Sequence, residues 1–275
     1  MTDAPLRLLV IGAHPDDCEV KAGGLTAIYR DLGHQVRFLS MTNGATGHHD
    51  IGGIELALRR RRESDAVAES EGLDYEILDI HCGELEPSVA NRKQLIREIR
   101  EYEPDLVLTH RPWDYHPDHR YTGMLVQDAS YILTVPNMVP LTPHLQRMPV
   151  IMYLYDNFAK PIPFQPDIVV DIDAVIDRKL HMLHCHTSQM YEWLPYNRNE
   201  LDKVPDDEAS RREYLANGRL PQFVEVAQRH RDRLVALYGV QKGNNTRYAE
   251  AFETCEYGAA LTAEAKKRLF PFLPS

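Results

Sequence analysis

Residues 6–19 read LRLLVIGAHPDDCE, and this stretch joins an apolar run to a cluster of ionisable side chains. A short apolar run that ends at a glycine is typical of a buried β-strand followed by a loop. The loop lacks the G-x-G-x-x-G spacing of a dinucleotide-binding site and instead carries His14, Asp16 and Asp17. An aspartate that caps the next helix would account for one carboxylate, but not for three ionisable groups at the end of one strand. The stretch therefore predicts a functional loop after the first strand.

Outward from this stretch, apolar runs alternate with amphipathic segments. Predicted strands lie at 6–12, 36–41, 75–80, 105–110, 149–154 and 167–172, and predicted helices at 22–32, 54–71, 95–102, 173–190 and 223–237. Such alternation implies right-handed crossovers and a parallel sheet. We therefore predict an α/β fold, a Rossmann-like three-layer sandwich with a mostly parallel sheet.

Length and charge limit the classes of function. The chain has 275 residues, with 31 Lys and Arg against 41 Asp and Glu, a net charge of −10. This length favours one large domain over residues 1–275, with 195–275 as a C-terminal extension packed on it, because the pattern weakens beyond Pro195. So acidic a chain does not offer the basic surface that nucleic acids require. We expect a small-molecule substrate and no nucleic-acid partner.

Cysteine usage and hydropathy bear on the cellular compartment. Cys18, Cys82, Cys185 and Cys255 are scattered without paired spacing, which is typical of a reducing compartment rather than of a disulfide framework. The N-terminal apolar run is too short for the core of a signal peptide, and no stretch has the apolar length of a membrane span. We therefore expect a cytoplasmic protein without a membrane span.

A second ionisable cluster follows the fourth predicted strand, where residues 110–120 read HRPWDYHPDHR. If the strand order is 3-2-1-4-5, strands 1 and 4 are neighbours and the loops at their carboxyl ends face each other across one crevice. Imidazoles with one carboxylate suit zinc better than magnesium or calcium. The two clusters therefore predict an active site with a metal at the carboxyl ends of strands 1 and 4. Spacing alone does not select the ligands, and His110 also fits a satisfied core histidine.

The two motifs together resemble those of a known family. A-H-P-D-D-x-E at 13–19 and H-P-D-H at 116–119 resemble the LmbE/PIG-L family of zinc-dependent de-N-acetylases. Weaker similarities are R-x-x-E at 60–63 and H-x-S-Q at 186–189. The resemblance covers about residues 6–190 and does not extend beyond Pro195.

The resemblance implies a role for each matching residue. It implies zinc bound by three side chains, those of His14, Asp17 and His119. Asp16 would be the general base, and His116 would polarise the acyl carbonyl and stabilise the oxyanion as an imidazolium. Asp118 would orient a histidine, and Arg60 would contact substrate. For the arginine run at 59–62 as a whole, a solvated helix face is an equally simple explanation.

These roles predict a zinc-dependent hydrolase that removes an N-acyl group, such as N-acetyl, from a small amide such as an N-acetylated amino sugar or its conjugate. One alternative is a zinc-dependent hydratase of a small unsaturated carboxylic acid. The intact first motif favours hydrolysis, because members of the superfamily that resemble hydratases lack it. Another alternative is a non-catalytic metal-binding module, which would not need the spare carboxylate of Asp16. The family resemblance also favours a homo-oligomer, and no residue identifies the substrate.

Overall fold

The computed structural model describes residues 4–274. Within this range the strands are β1 (Arg7–Gly12), β2 (Gln35–Ser40), β3 (Asp74–Ile77), β4 (Leu106–Thr109), β5 (Val150–Leu154), β6 (Ile168–Asp171) and β7 (Ala249–Thr254). The α-helices are α1 (Asp17–Asp31), α2 (Gly53–Glu71), α3 (Val89–Tyr102), α4 (Pro117–Ser130), α5 (Ile176–Cys185), α6 (Leu194–Asn197), α7 (Glu208–Arg229), α8 (Arg231–Tyr238), α9 (Val240–Asn245) and α10 (Ala263–Leu269).

All seven strands form one sheet in the order β3-β2-β1-β4-β5-β7-β6. The first five pair in parallel, and β7 lies antiparallel between β5 and β6. Helices cover both faces, so the predicted α/β fold with a mostly parallel sheet is confirmed, as is the order 3-2-1-4-5 of the first five strands. A parallel sheet buried on both faces explains why its strands read as continuous apolar runs.

Strand β1 shows how the core is divided between the two faces. Leu8 and Val10 pack in a core with α1 and α5, whereas Leu9 and Ile11 pack in a second core with α3 and α4. All four side chains are fully buried. Because side chains alternate along a strand, one short run supplies both cores. The central position of β1 therefore fixes where the loop after it emerges.

The single helix predicted over 173–190 is wrong in its second half. Helix α5 ends at Cys185, and a π-helical turn follows at Ser188–Trp193. The break occurs where other elements bind the local polar groups: the His186 ring contacts Glu19, and Glu63 accepts hydrogen bonds from the Ser188 backbone N and Oγ. Such side-chain contacts compete with the regular helical ladder.

Beyond Pro195 the chain is more regular than its pattern predicts. Helix α7 begins at Glu208, although only 223–237 was predicted to be helical, and the helix ends at Arg229 before α8 begins. Strand β7 was not predicted, and neither was α4. The region treated as an extension thus contributes an internal strand of the sheet. Within residues 4–274, no helix combines the length and hydropathy that crossing a membrane requires.

Candidate metal centre and active site

The loops after β1 and β4 lie side by side because these strands are hydrogen-bonded neighbours, with Ile11 opposite Thr109. Together they line the bottom of a cavity of about 580 Å³. We call residues 13–17 and 110–119 the floor of this cavity. Its position at the carboxyl ends of parallel strands is the usual site of ligand binding in such sheets.

Three side-chain atoms converge on the floor. His14 Nδ1 lies 3.4 Å from Asp17 Oδ2 and 3.2 Å from His119 Nε2, and His119 Nε2 lies 3.5 Å from Asp17 Oδ2. Ligand atoms about 2.0–2.2 Å from a tetrahedral zinc are separated by about 3.3–3.6 Å, so the three separations match one face of such a site. Two imidazole nitrogens and one carboxylate oxygen are also a donor set that zinc accepts. The residues present therefore fit a metal ion.

A carboxylate behind His14 sets the orientation of its ring. Asp118 Oδ2 lies 3.1 Å from His14 Nε2 and also accepts a hydrogen bond of 2.7 Å from the backbone N of Gly83. With the proton on Nε2 shared with Asp118, the lone pair of Nδ1 faces the point of convergence. Burial alone would lower the pKa of His14, but its hydrogen bonds to Asp118 and Asp17 raise the pKa well above its usual value.

The same arrangement recurs at His119 with a carboxylate that sequence analysis missed. Asp114 Oδ1 lies 3.1 Å from His119 Nδ1 and accepts a hydrogen bond of 3.0 Å from the backbone N of His116. Nε2 of His119 is thereby left facing the convergence point. Asp114 belongs to the second motif region, but its distance along the chain from His119 gave no sign of this contact.

Backbone amides of the loop after β1 hold the carboxylate of Asp17 in place. Its Oδ2 accepts hydrogen bonds from the backbone N of Ala13 and of His14, at 3.0 and 2.8 Å. A Cβ on Gly12 would lie 2.8 Å from the Asp17 Cβ, so glycine is needed for the loop to fold back this closely. Burial alone would raise the pKa of Asp17, but nearby imidazoles hold it well below its usual range. Asp17 is therefore a carboxylate at neutral pH.

His110 is buried beneath the same cluster. Its Nε2 lies 3.3 Å from both Asp17 Oδ2 and the backbone N of Ala13, and its ring stacks on that of His119 at 4.3 Å. These contacts fit a satisfied buried histidine. Three further sets of close metal-binding atoms overlap with that of His14, Asp17 and His119. They are His14 with His116 and His119, Asp17 with His110 and His119, and His14 with Cys82 and Asp118. Cys82 lies outside both motifs and was not predicted.

Asp16 occupies an unusual backbone conformation, with φ of 147° at the N-cap position of α1. Its side chain makes no capping hydrogen bond, so helix capping does not explain this carboxylate. Asp16 Oδ1 lies 3.1 Å from Arg60 Nη2, which also donates to the carbonyl of Pro15. Burial raises the pKa of Asp16 above its usual value, and the Arg60 charge partly offsets this. Strained backbone of this kind is concentrated at functional sites.

Arg60 is almost fully buried, at 2% exposure, while it lines the cavity. It therefore does not belong to a solvated helix face, although Arg61 and Arg62 are exposed. The guanidinium contacts Asp16 directly. A substrate contact would have to be made from the cavity side of this pair.

His116 stands at the N-terminus of α4, beside the convergence point. Its Nδ1 accepts a hydrogen bond of 3.2 Å from the backbone N of Asp118, and its ring meets that of His14 edge-on at 4.6 Å. An acceptor at Nδ1 places the proton of a neutral ring on Nε2. Burial, with the nearby His14 and His119, lowers the pKa of His116 to about 4. The ring is therefore neutral at pH 7, which differs from the expected imidazolium.

The two weaker motifs pack against each other behind the floor. Glu63 accepts hydrogen bonds of 2.8 Å from the Ser188 backbone N and 2.6 Å from its Oγ. His186 contacts Glu19 at 2.7 Å, and Gln189 donates to the carbonyl of Gly47 at 2.9 Å. These contacts tie α1, α2 and the π-helical turn together, and so support the loop that carries Asp16.

The far side of the cavity comes from the part of the chain that the motifs do not cover. Five residues of α7 line it, and we call them the α7 wall: Arg219, Gln222, Phe223, Glu225 and Val226. Phe223 and Val226 are buried, Arg219 is partly exposed, and Gln222 and Glu225 are exposed. Sequence analysis named none of these residues.

Comparisons with known proteins show which family the sequence resembles. The PIG-L family, described as GlcNAc-PI de-N-acetylase, matches residues 9–130. Diacetylchitobiose deacetylase of Thermococcus kodakarensis is 34% identical over an alignment of 209 residues, and the match covers 70% of this chain and 75% of that protein. The 4-oxalmesaconate hydratase of Pseudomonas putida is 28% identical over 71% of this chain and 78% of that protein.

Solved structures of deacetylases share the fold of this chain. N,N'-diacetylchitobiose deacetylase from Pyrococcus horikoshii, in complex with its inhibitor MPG, superposes with a TM-score of 0.68 at 26% identity. The superposition covers 91% of this chain and 84% of that one. The motif match, the 34% identity to a relative over 70% of this chain and the shared fold lead to one conclusion: the chain belongs to the PIG-L family.

Proposed function

We propose that this protein is a zinc-dependent hydrolase that removes an N-acyl group, normally N-acetyl, from an amino sugar or a conjugate of one. Its 34% identical relative is a diacetylchitobiose deacetylase, and a 29% identical relative from Bacillus cereus is a probable N-acetyl-alpha-D-glucosaminyl L-malate deacetylase. A cavity of about 580 Å³ falls within the range of pockets that bind small molecules. The substrate class in this proposal comes from the relatives, and the chemistry comes from the floor.

In this proposal His14, Asp17 and His119 hold the zinc ion. Zinc at such a site acts as a Lewis acid that activates water and polarises a carbonyl. Asp118 and Asp114 keep the two rings oriented, through contacts of 3.1 Å each. The floor would thus hold the ion rigidly and leave its cavity side open to substrate.

Asp16 serves as the general base in this proposal. It lines the same cavity as the three converging atoms without being one of them, and burial raises its pKa toward the neutral range where a base is effective. Asp16 takes a proton from the attacking water and passes it to the amide nitrogen as the C–N bond breaks. Acetate and a free amine are then released. Arg60 holds the Asp16 side chain in place and keeps it ionised before the reaction.

His116 stabilises the negative charge that develops on the acyl oxygen. Because Nδ1 accepts from the Asp118 backbone N, the Nε2–H is free to donate toward the cavity. A neutral donor that is held in place still contributes, since a fixed dipole aimed at a developing charge does not need to reorganise during the reaction. The role expected for His116 is therefore kept, with a neutral ring in place of an imidazolium.

One observation carries the proposal: three metal-binding atoms lie 3.2–3.5 Å apart, and the carboxylate of Asp16, which is not one of them, lines the same cavity. A metal-binding module without catalysis would not need Asp16 in a strained conformation. A hydratase remains the competing function because of the Pseudomonas putida relative, but the deacetylase relative has the higher identity and the first motif is intact.

The test is a direct comparison of the two reactions. Zinc-loaded protein is incubated with a panel of N-acetylated amino sugars and with unsaturated dicarboxylic acids. Acetate release is measured by an enzyme-coupled assay, and hydration by loss of ultraviolet absorbance. We expect acetate from at least one N-acetyl sugar and no hydration. Hydration without acetate release would overturn the proposal in favour of the hydratase.

A further inference from the structure

The α7 wall contains a cation that the proposed chemistry does not use. Arg219 is partly buried and lines the cavity. Among residues 4–274 its one hydrogen-bond contact is with the sulfur of Met190, at 3.1 Å from Nη2. Burial, with the nearby Arg198, lowers the pKa of the Arg219 guanidinium to about 10. Arg219 is thus a charged, poorly solvated group at neutral pH with no ion-pair partner in the described chain.

The carboxylates that line the cavity already have partners of their own. Asp16 pairs with Arg60, and Asp17 and Asp114 contact imidazoles of the floor. The three carboxylates that line the rest of the cavity each have a partner: Asp156 with Arg111, Glu250 with Lys179 and Glu225 with Arg229. None of these six groups is left over to balance the charge of Arg219.

A second cation, Lys21, also lines the cavity without a carboxylate partner in the described residues. Lys21 lines it from α1, and its ammonium donates to the carbonyl of Tyr155 at 2.8 Å. An ammonium has three donors, so two stay available. Lys21 and Arg219 line the same cavity, and the buried Lys179 links their helices. Its ammonium donates to the carbonyl of Val20 at 2.8 Å and lies 4.4 Å from the centroid of the Phe223 ring. Within residues 4–274 neither has a carboxylate partner, so this part of the cavity carries uncompensated positive charge.

Such an arrangement does not stabilise the fold. A cation that leaves water without a partner raises the free energy of the folded state. An apolar side chain of similar length at position 219 would avoid that penalty, so the guanidinium is better explained by a ligand. The planar fork of an arginine matches the oxygens of a carboxylate or a phosphate, which would also supply the missing charge.

We propose that the substrate carries an anionic group, a phosphate or a carboxylate, which Arg219 binds with the help of Lys21. This inference rests on the proposed function, because it takes the acyl group to lie on the floor of the same cavity. One small molecule can contact both ends of this site, since Asp16 and Arg219 line the same cavity of about 580 Å³. The protein would therefore be an N-deacetylase of an acidic sugar conjugate rather than of a neutral sugar.

The first experiment compares matched substrates. Zinc-loaded protein is assayed with methyl N-acetylglucosaminide, which is neutral, with N-acetylglucosamine 1-phosphate and with a carboxymethyl N-acetylglucosaminide. We expect the wild-type kcat/KM to be higher for one of the two anionic compounds by about 10–100-fold, the range for a hydrogen-bonded charge pair. The better of the two identifies the anion as phosphate or carboxylate.

Variants assign the preference to one side chain. Arg219→Gln should abolish the preference for the anionic compound, because it should lower kcat/KM for that compound more than for the neutral one. Arg219→Lys should retain part of the preference. The matched control is Arg198→Gln, which removes the same charge from a neighbouring exposed position outside the cavity lining. This control should keep the preference. Equal losses for neutral and anionic compounds in Arg219→Gln would contradict the inference.

A binding measurement separates this inference from the proposed function. Calorimetry with glucosamine 1-phosphate and with glucosamine needs no turnover, and it is performed on wild type and on Arg219→Gln. Phosphate-dependent binding that the substitution removes supports the anion site, even if no acetyl sugar is hydrolysed, in which case only the proposed function fails. Thermal unfolding of Arg219→Met without ligand should give an unchanged or raised Tm. A lowered Tm together with no phosphate-dependent binding would assign Arg219 a structural role and overturn the inference.

Discussion

The floor and the α7 wall of the same cavity differ in whether their charged side chains have partners. On the floor, ionisable groups contact one another: Asp118 lies 3.1 Å from the His14 ring, and Asp16 lies 3.1 Å from Arg60. On the wall, Arg219 has no carboxylate partner within the described chain. Mutual contact fixes side chains in one geometry, as catalysis requires, whereas an unpaired charge is available to a ligand. The difference indicates that the floor performs the chemistry and the wall selects the substrate.

The largest effect that would test this division is loss of the metal. His14→Ala and His119→Ala each leave two of the three converging side chains, and a site with two ligands binds zinc weakly. We expect metal content and acetate release to fall together, by more than the roughly 10–100-fold that loss of an orienting partner causes. Elemental analysis and kinetics measure both quantities.

The control for these variants is His144→Ala, at a partly exposed position in the segment before β5. It should keep its metal and its activity. The loss in the two floor variants should also be the same for neutral and acidic substrates. Full zinc occupancy in both floor variants would show that another set, such as Asp17 with His110 and His119, holds the ion.

A smaller effect is expected when the base is removed and the metal is kept. Asp16→Asn preserves the size of the side chain and a residue type that tolerates positive φ, but an amide does not accept the proton. We expect kcat/KM to fall by about 10²–10⁴-fold, the usual contribution of a positioned acid or base, with zinc content unchanged. Zinc analysis beside steady-state kinetics measures the two effects separately.

The matched variant for the base is its neighbour. Asp17→Asn replaces a carboxylate ligand with a neutral oxygen and should weaken zinc binding. Thermal unfolding of both variants checks that the fold is kept, because Asp16→Asn also leaves Arg60 without its partner. Metal loss in Asp16→Asn, with a fully loaded Asp17→Asn, would exchange the two roles.

The smallest effect in this series belongs to the carboxylates behind the histidines. Asp118→Asn and Asp114→Asn remove a negative charge that orients His14 and His119, respectively. Each should weaken zinc affinity by about 10–100-fold without abolishing turnover at saturating zinc. Chelator competition gives the affinities. Asp65→Asn, at an exposed ion pair of α2 with Arg61, is the control and should have wild-type affinity.

The floor could be predicted from sequence because it consists of two short stretches that each follow an apolar strand. The loop after β1 and the loop after β4 had to meet once the strand order was 3-2-1-4-5. Asp114 was missed because its contact with His119 depends on how the loop turns, which the residue types in the motif do not encode. The distinct positions of Asp16 and Asp17 likewise depend on one backbone angle, the φ of 147° at Asp16.

The cavity-lining role of the α7 wall and the existence of strand β7 could not be predicted, for a physical reason. Helix α7 presents Arg219 and Gln222 to the cavity, so polar residues interrupt the apolar period on a face that points inward. In β7 the charged Glu250 interrupts the apolar run. A buried strand tolerates this carboxylate because Lys179 and the backbone N of Gly24 and of Leu25 compensate its charge. These three partners lie far from Glu250 in the sequence, so no local pattern predicts the strand.

The insertion of β7 between β5 and β6 bears on how substrate range could be redesigned. The chain leaves the sheet at β6 and re-enters it at β7, its hydrogen-bonded neighbour, so the ends of the intervening segment are held at adjacent strands. Doubling the length of a segment closed in this way costs only about 0.6 kcal/mol of loop-closure free energy. Residues 194–238 carry α6, α7 and α8, and their buried side chains, such as Leu215, Phe223 and Leu234, pack into the cores on the sheet. An exchange of this segment between relatives that keeps these apolar positions would leave the loops after β1 and β4 unaltered. New specificities would then come from grafting one segment onto an unchanged catalytic scaffold.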